Sequence, residues 1–186
     1  MKLYSFRRIS TSKLTSQLIS IVLLLCVVVG CRQLSKLGNP TVLKSRDGKF
    51  QVTVPGGCRK NASLNKQAEI GAANLIDEVY VIVLTDAKTD FPNAVSLDEF
   101  TTLSRNTISS NLKEARATDP VPVTINGNSG RAYEVEGMVD GVKLAYRIAA
   151  VETSDHYHQV ITWTLHSRKD ENRATLQKMI DSFRST

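Results

Sequence analysis

The sequence predicts an α+β fold, an antiparallel β-sheet meander with helices packed on it, and three observations predict it. Alternating apolar and polar residues recur in short segments after Val121, separated by Asn126-Gly127 and Asp140-Gly141, which supply the positive φ angles of two-residue hairpin turns. Two stretches of helical spacing, one opening at Ser96 and one closing at Phe183, are separated by those strands. Strands in antiparallel series with two separated helices describe a sandwich rather than the strand-helix-strand units of a doubly wound sheet.

The chain begins with Lys2, Arg7, Arg8 and Lys13 and no acidic residue, followed by an apolar run from Ile19 that ends in Val28-Val29-Gly30-Cys31. A basic segment, an apolar segment of about ten residues and a small residue before the cut describe a secretory signal. As a helix, Leu18 to Val29 covers roughly 18 Å, too short for a hydrocarbon core of about 30 Å. The last four residues resemble the lipobox of bacterial lipoproteins. That resemblance implies removal of residues 1–30, a diacylglyceryl group on the Cys31 thiol and acylation of the new amino terminus. Two or more acyl chains hold a protein stably on a bilayer, so the membrane is the first expected partner. Arg32 after the cysteine resembles cargo sent on to an outer membrane. Arg7-Arg8 lacks the flanks of a twin-arginine signal.

Removing residues 1–30 leaves 156 residues with 20 basic and 18 acidic side chains, a net charge of +2. The basic pI of the whole chain thus owes much to the signal, and with no basic stripe interleaved with aromatics, nucleic acid is not an expected partner. Of three cysteines, Cys26 leaves with the signal and Cys31 would carry lipid. Cys58 alone cannot make an internal disulfide, so the fold rests on its core, with Cys58 expected inside it as a small apolar residue. A chain of this size suits one domain. Residues 31–45 read as a flexible tether from lipidated Cys31, and 46–186 as the single folded domain.

Along that domain, Phe50-Gln51-Val52-Thr53-Val54 alternates and stops at Pro55-Gly56-Gly57, a half-buried strand. Ala68 to Leu75 is a weaker strand. Val79 to Leu84 is apolar throughout, which suits a central strand covered on both faces. Thr85 to Val95 reads as a loop. Ser96-Leu97-Asp98-Glu99 is a capping box, and Leu97, Phe100, Leu103, Thr107, Ile108 and Leu112 then mark an inward helical face. Val121, Val123 and Ile125, then Tyr133 and Val135, then Val142, Leu144, Tyr146, Ile148 and Ala150, then Tyr157, Gln159, Ile161, Trp163 and Leu165 mark the inward positions of the meander. Ser167 and Asp170 compete to cap a last helix whose Leu176, Met179, Ile180 and Phe183 dock on the sheet.

This order of elements, with Phe50 to Pro55, Tyr80-Val81-Ile82-Val83, the Asp140-Gly141 hairpin, Trp163 within Gln159 to Thr164, and Ile180-Asp181-Ser182-Phe183, resembles the PsbP-like α/β/α sandwich superfamily. The superfamily contains a photosystem II extrinsic subunit, a Ran-binding import factor and bacterial envelope lipoproteins. The resemblance covers roughly Arg46 to Phe183 and implies a scaffold used for binding, with no shared catalytic residue or metal site to carry over. Such proteins often place an aromatic where this chain has Cys58.

Few groups carry chemistry. His156 and His158 share one face of a strand, opposite Tyr157 and Trp163, and are the candidate metal ligands. His166 shares their parity but stands about 26 Å from His158 along a straight strand, so the three cannot meet on one ion, and solvent-facing rings are the simpler expectation. Asp86 and Asp90 lack the spacing of a calcium loop. Gly127-Asn128-Ser129-Gly130 is not a nucleophile elbow, which leaves Ser129 as a turn residue. Lys143 and Arg147 are expected to pair with Glu134 and Glu136 across a hairpin. No catalytic residue and no cofactor is indicated. The expected role is a membrane-tethered, non-enzymatic binding or accessory domain with a protein partner in an envelope complex; the alternative is a metal-binding factor or enzyme using the His156/His158 face.

Overall fold

A computed structural model describes residues 38–185. The signal stretch, Cys31 and residues 32–37 of the expected tether lie outside the described residues. Strands β1 (Thr41–Lys44), β2 (Phe50–Val54) and β11 (Arg184–Ser185) make a small antiparallel sheet in the order β1-β2-β11. Strands β3 (Arg59–Lys60), β4 (Ile70–Asn74), β5 (Val79–Ala87), β6 (Lys113–Ala117), β7 (Val121–Ile125), β8 (Asn128–Val139), β9 (Val142–Glu152) and β10 (His156–Leu165) make the larger sheet. Its order is β3-β4-β5-β10-β9-β8-β6, with β7 also on β8. Helix α1 (Leu97–Ser110) lies on one face and helix α2 (Lys169–Asp181) on the other.

Two hairpins set the register of the meander. Asn126 and Gly127 have φ of 47° and 87°, and Asp140 and Gly141 have 49° and 84°, the left-handed pairs that match the twist of flanking strands. Val139 therefore opposes Val142, and every odd residue of β9 from Ala145 faces α2 while Tyr146 and Ile148 face the α1 side. Val79, Val81, Val83, Val151 and Val160 pack under Leu176, Met179, Ile180 and Phe183, and the small sheet adds Phe50, Val52 and Val54 to that core. On the opposite face Ile82, Tyr133, Val135, Ile148 and Ile161 form a second cluster against Ile108 and Leu112. The all-apolar start of β5 is thus covered on both sides, as its composition predicts.

The capping box forms: Ser96 Oγ accepts from the Glu99 amide, and the Glu99 carboxylate accepts from the Ser96 amide. Neither Ser167 nor Asp170 caps α2. A short 3₁₀ turn over His166–Arg168 runs into the helix, and Arg168 occupies the cap position without a side-chain bond. Asp170 and Glu171 instead lie in the first turn, where carboxylates favour the helix dipole.

Four further expectations are corrected, and one strand is added. Thr41–Lys44, read as tether, pairs with β2 and buries Leu43, so strand pairing in the folded domain begins before Arg46. The loop from Thr85 begins later, because β5 continues to Ala87 against the long β10. Leu103 and Thr107 are exposed; Thr101 and Ser104 take the inward positions, their hydroxyls bonded to the Leu97 carbonyl and to Tyr133 and Gln159. Lys113–Ala117 is an edge strand that its polar composition concealed. Val121 and Val142, read as inward positions, are exposed at the starts of β7 and β9.

The ladder gives the larger sheet two distinct ends. One carries the β4–β5 turn, over residues 75–78, and the β8–β9 turn at Asp140-Gly141. The other carries Ala87, His156, the β9–β10 turn and Asn128. Gly38 lies against Gly56, where an added Cβ would collide with its backbone. Arg59, three residues beyond Gly56, pairs with Ala73, next to the β4–β5 turn. The chain therefore enters the domain at the first end.

Candidate functional site

At the second end, a cavity of about 480 Å³ opens between the small sheet and the β9–β10 turn. His158 and Phe50 line it from β10 and β2, Thr85 from β5, and Thr153, Ser154, Asp155 and His156 from the β9–β10 connection and the start of β10. Asp47, Lys49, Asn128 and Ser185 complete the lining. It combines two carboxylates, one ammonium, two imidazoles and several hydroxyls, a set suited to a small polar ligand held by hydrogen bonds and ion pairs.

His156 and His158 do share a face, with ring centroids 6.0 Å apart. The expectation that both meet solvent is wrong for His158, which is 4% exposed. Its ring packs edge-on against Phe50 at 4.9 Å and against Phe183 at 5.0 Å, because β2 and the chain end after α2 close over this part of β10. Both ring nitrogens have partners. Thr153 Oγ1 donates to the His156 carbonyl at 3.0 Å, so its oxygen is left to accept from His158 Nε2–H at 3.3 Å. Nδ1 then accepts from the Thr85 hydroxyl at 3.0 Å. Burial, reinforced by the neighbouring His156, lowers the pKa of His158 to about 4. This imidazole is a neutral strut between two threonines.

His156 stands beside it on the cavity wall, a quarter exposed, with Nδ1 3.0 Å from Asp155 Oδ1. That hydrogen bond holds the Asp155 carboxyl below the usual carboxylate range. Asp47 is also lowered, first by the Ser45 hydroxyl at 2.7 Å and then by the Lys49 amide at 3.1 Å. Among the described residues no three His, Cys, Asp or Glu side chains converge as metal ligands.

His166 lies at the other end of β10, bonded to Glu136, which also takes Lys169 at 2.9 Å. Glu134 receives Arg147 across the hairpin, as expected, and Arg173 from α2. Lys143 instead opposes Met138, so the expected Lys143–Glu136 pair is absent. Asp86 lies within β5 and Asp90 in a 3₁₀ turn; burial raises the Asp86 pKa. Ser129 is in β8. Cys58 is buried in the main core, and desolvation pushes its thiol to about 11. Asp47, Lys49, Thr85 and Thr153 were not legible as site residues, since they reach the cavity from three separate segments, the β1–β2 turn, β5 and the β9–β10 turn.

No protein-family model matches the sequence, and no curated protein sequence does. Solved structures do. The cyanobacterial PsbP protein CyanoP of Synechocystis sp. PCC 6803 superposes with a TM-score of 0.57 at 12% identity, covering 79% of this chain and 92% of its own. LpqN of Mycobacterium tuberculosis, described as involved in cell envelope biogenesis, gives 0.58 at 12% identity, covering 79% of this chain and 90% of its own. At such identities the likeness concerns the fold alone. With two helices on opposite faces of an antiparallel sheet in this order, residues 38–185 adopt the PsbP-like α/β/α sandwich fold.

Proposed function

We propose that this chain is a lipid-anchored protein of the bacterial cell envelope that works by binding, as a non-enzymatic accessory domain within an envelope assembly. The observation that carries the reading is Val28-Val29-Gly30-Cys31, a lipobox-like stretch that ends seven residues before the folded domain. An accessory role is supported by the PsbP-like fold, which CyanoP and the envelope-biogenesis protein LpqN share. It is also supported by His158, the group best placed for acid-base work, whose nitrogens are both engaged. The cavity beside His156 lies at the end of the sheet away from where the chain enters, so a bound partner would face away from the anchor. Labelling cells with radioactive palmitate tests the anchor: the wild type incorporates label and sediments with membranes, and Cys31→Ser does neither. Crosslinking from the cavity rim in native membranes, followed by identification of captured proteins, tests the accessory role; capture that survives Asp155→Ala with His156→Ala counts against the cavity.

A second reading, a metal-dependent factor or enzyme at His156/His158, has one observation in its favour. The cavity gathers Asp47, Asp155 and Lys49 beside the His156 ring. Metal binding there would have to break the bond from His158 to Thr85 or Thr153. Calorimetric titration with zinc separates the readings: this one requires binding that is lost in His156→Ala.

A further inference from the structure

Seven large apolar side chains are exposed among the described residues, and four of them, Leu75, Ile76, Val139 and Val142, sit at one end of the larger sheet. Leu75 and Ile76 are the most exposed, at 71% and 77%, side by side on the β4–β5 turn. The turn is built to hold them out. Asn74 Oδ1 accepts the amides of Ile76 and Asp77, Arg168 donates to the Ile76 carbonyl at 3.0 Å, and Asn172 donates to the Asp77 carbonyl at 2.9 Å. The backbone is thus tied to α2 while both side chains project. Val139 and Val142 flank Asp140-Gly141 on the second hairpin of the same end.

The occupant follows from where the chain enters. Gly38 lies against Gly56 at this end, and Cys31 is seven residues earlier. Fully extended, seven residues reach roughly 25 Å. Acyl chains on Cys31 therefore hold this end within that distance of the lipid surface, whereas nothing in the chain ties the cavity end there. Nearby Arg168 is offset by Glu78 at 3.6 Å and Glu171 at 3.1 Å, which leaves the β4–β5 turn itself to offer apolar side chains, while exposed Lys143 and Lys113 stand by the second hairpin.

We propose that the turn over residues 75–76, with Val139 and Val142 on the hairpin across β10 at the same end, docks into the interfacial region of the bilayer that anchors the protein. The proposal rests on the lipid-anchor reading and adds an orientation to it: the apolar end inward, the His156 cavity outward. Two aliphatic residues give weak insertion by themselves, but the anchor makes the encounter intramolecular, which is where weak contacts count.

The test uses protein extracted from its membranes and reconstituted into phosphatidylethanolamine/phosphatidylglycerol vesicles. Leu75→Trp, in a Trp163→Phe background, reports on the turn, and Thr89→Trp, exposed at the opposite end, is the control. Vesicle flotation reads the anchor; quenching of the indole by brominated acyl chains reads the docking. Flotation with strong quenching of Leu75→Trp, a blue-shifted emission and little quenching of Thr89→Trp supports the proposal. Because an indole has its own affinity for lipid, hydrogen exchange on the unmodified protein is measured in parallel. Slower exchange of residues 75–78 on vesicles than in bilayer-free solution, lost in Leu75→Asp/Ile76→Asp, is the matching result. Flotation without quenching or protection overturns the docking and leaves the anchor standing. Failure to float overturns both. A blue shift that needs no bilayer and grows with protein concentration overturns it in favour of a second copy of this chain.

Discussion

His158 makes the stability of the domain sensitive to mild acid, and the effect can be worked from its surroundings. The ring is 4% exposed between Phe50 and Phe183, accepts at Nδ1 from Thr85 and donates from Nε2 to Thr153. Its pKa falls from the ordinary 6.5 to about 4. The unfolded chain therefore takes up a proton at this residue well before the folded one does. Neutral His158 contributes fully above pH 6.5, and that stability is lost as pH falls from 6.5 toward 4. At 1.36 kcal/mol per unit the loss is about 2 kcal/mol at pH 5 and about 3 kcal/mol at pH 4. Asp47 and Asp155, whose folded pKa values lie below the ordinary 3.8, add losses of their own only toward stronger acid. The assay is urea unfolding at constant ionic strength from pH 7.5 to 4, comparing the wild type with His158→Gln, whose amide can keep one threonine bond and does not titrate. The wild-type curve should fall away from the variant by about 2 kcal/mol between pH 7 and pH 5. A difference that stays flat over that interval, or widens as pH rises, refutes the assignment of His158 as a buried neutral strut. An NMR titration of its ring protons gives the midpoint directly.

Three further outcomes are expected. Ser96→Ala removes the hydroxyl that accepts from the Glu99 amide and should cost about 1 kcal/mol in chemical denaturation, largely restored by Ser96→Asp. Cys58, buried with its thiol raised to about 11, should stay unmodified by a polar thiol reagent at pH 8 and react on unfolding; modification of the folded protein at the rate of an unfolded control contradicts its burial. Phe183→Ala empties a fully buried position shared by α2, β2 and the His158 ring, and should destabilise by about 3–5 kcal/mol, read as a lowered urea midpoint with an unchanged m-value.

Where local chemistry governs, residues and structure agree closely. The Asn126-Gly127 and Asp140-Gly141 turns, the Ser96–Glu99 box, the two-faced start of β5 and the Leu176/Met179/Ile180/Phe183 stripe all depend on contacts within a few residues. The PsbP-like fold was legible from their order, and CyanoP and LpqN share it. Errors arose where a distant segment decided the environment. Leu103 lost its inward place to Ser104, whose hydroxyl satisfies the buried Tyr133 and Gln159 across the sheet. Lys113–Ala117 carries no apolar alternation because, as an edge strand, it is held by backbone pairing with β8. Residues 41–44 looked like tether because only Leu43 among them is buried.

By itself the sequence determined the α+β class, the hairpin registers, the expectation of an anchored Cys31 and the placing of His156 and His158 on one face, because each follows from periodicity, turn chemistry or a contiguous motif. Tertiary structure alone decided that His158 is buried and His156 is on a cavity wall, since that difference is made by Phe50 and Phe183, more than a hundred residues upstream and two dozen downstream. It also decided that Leu75, Ile76, Val139 and Val142 share the end where the chain enters while the cavity takes the other. Which strand ends coincide is fixed by the order and direction of pairing across the whole sheet, and no local stretch of sequence encodes it.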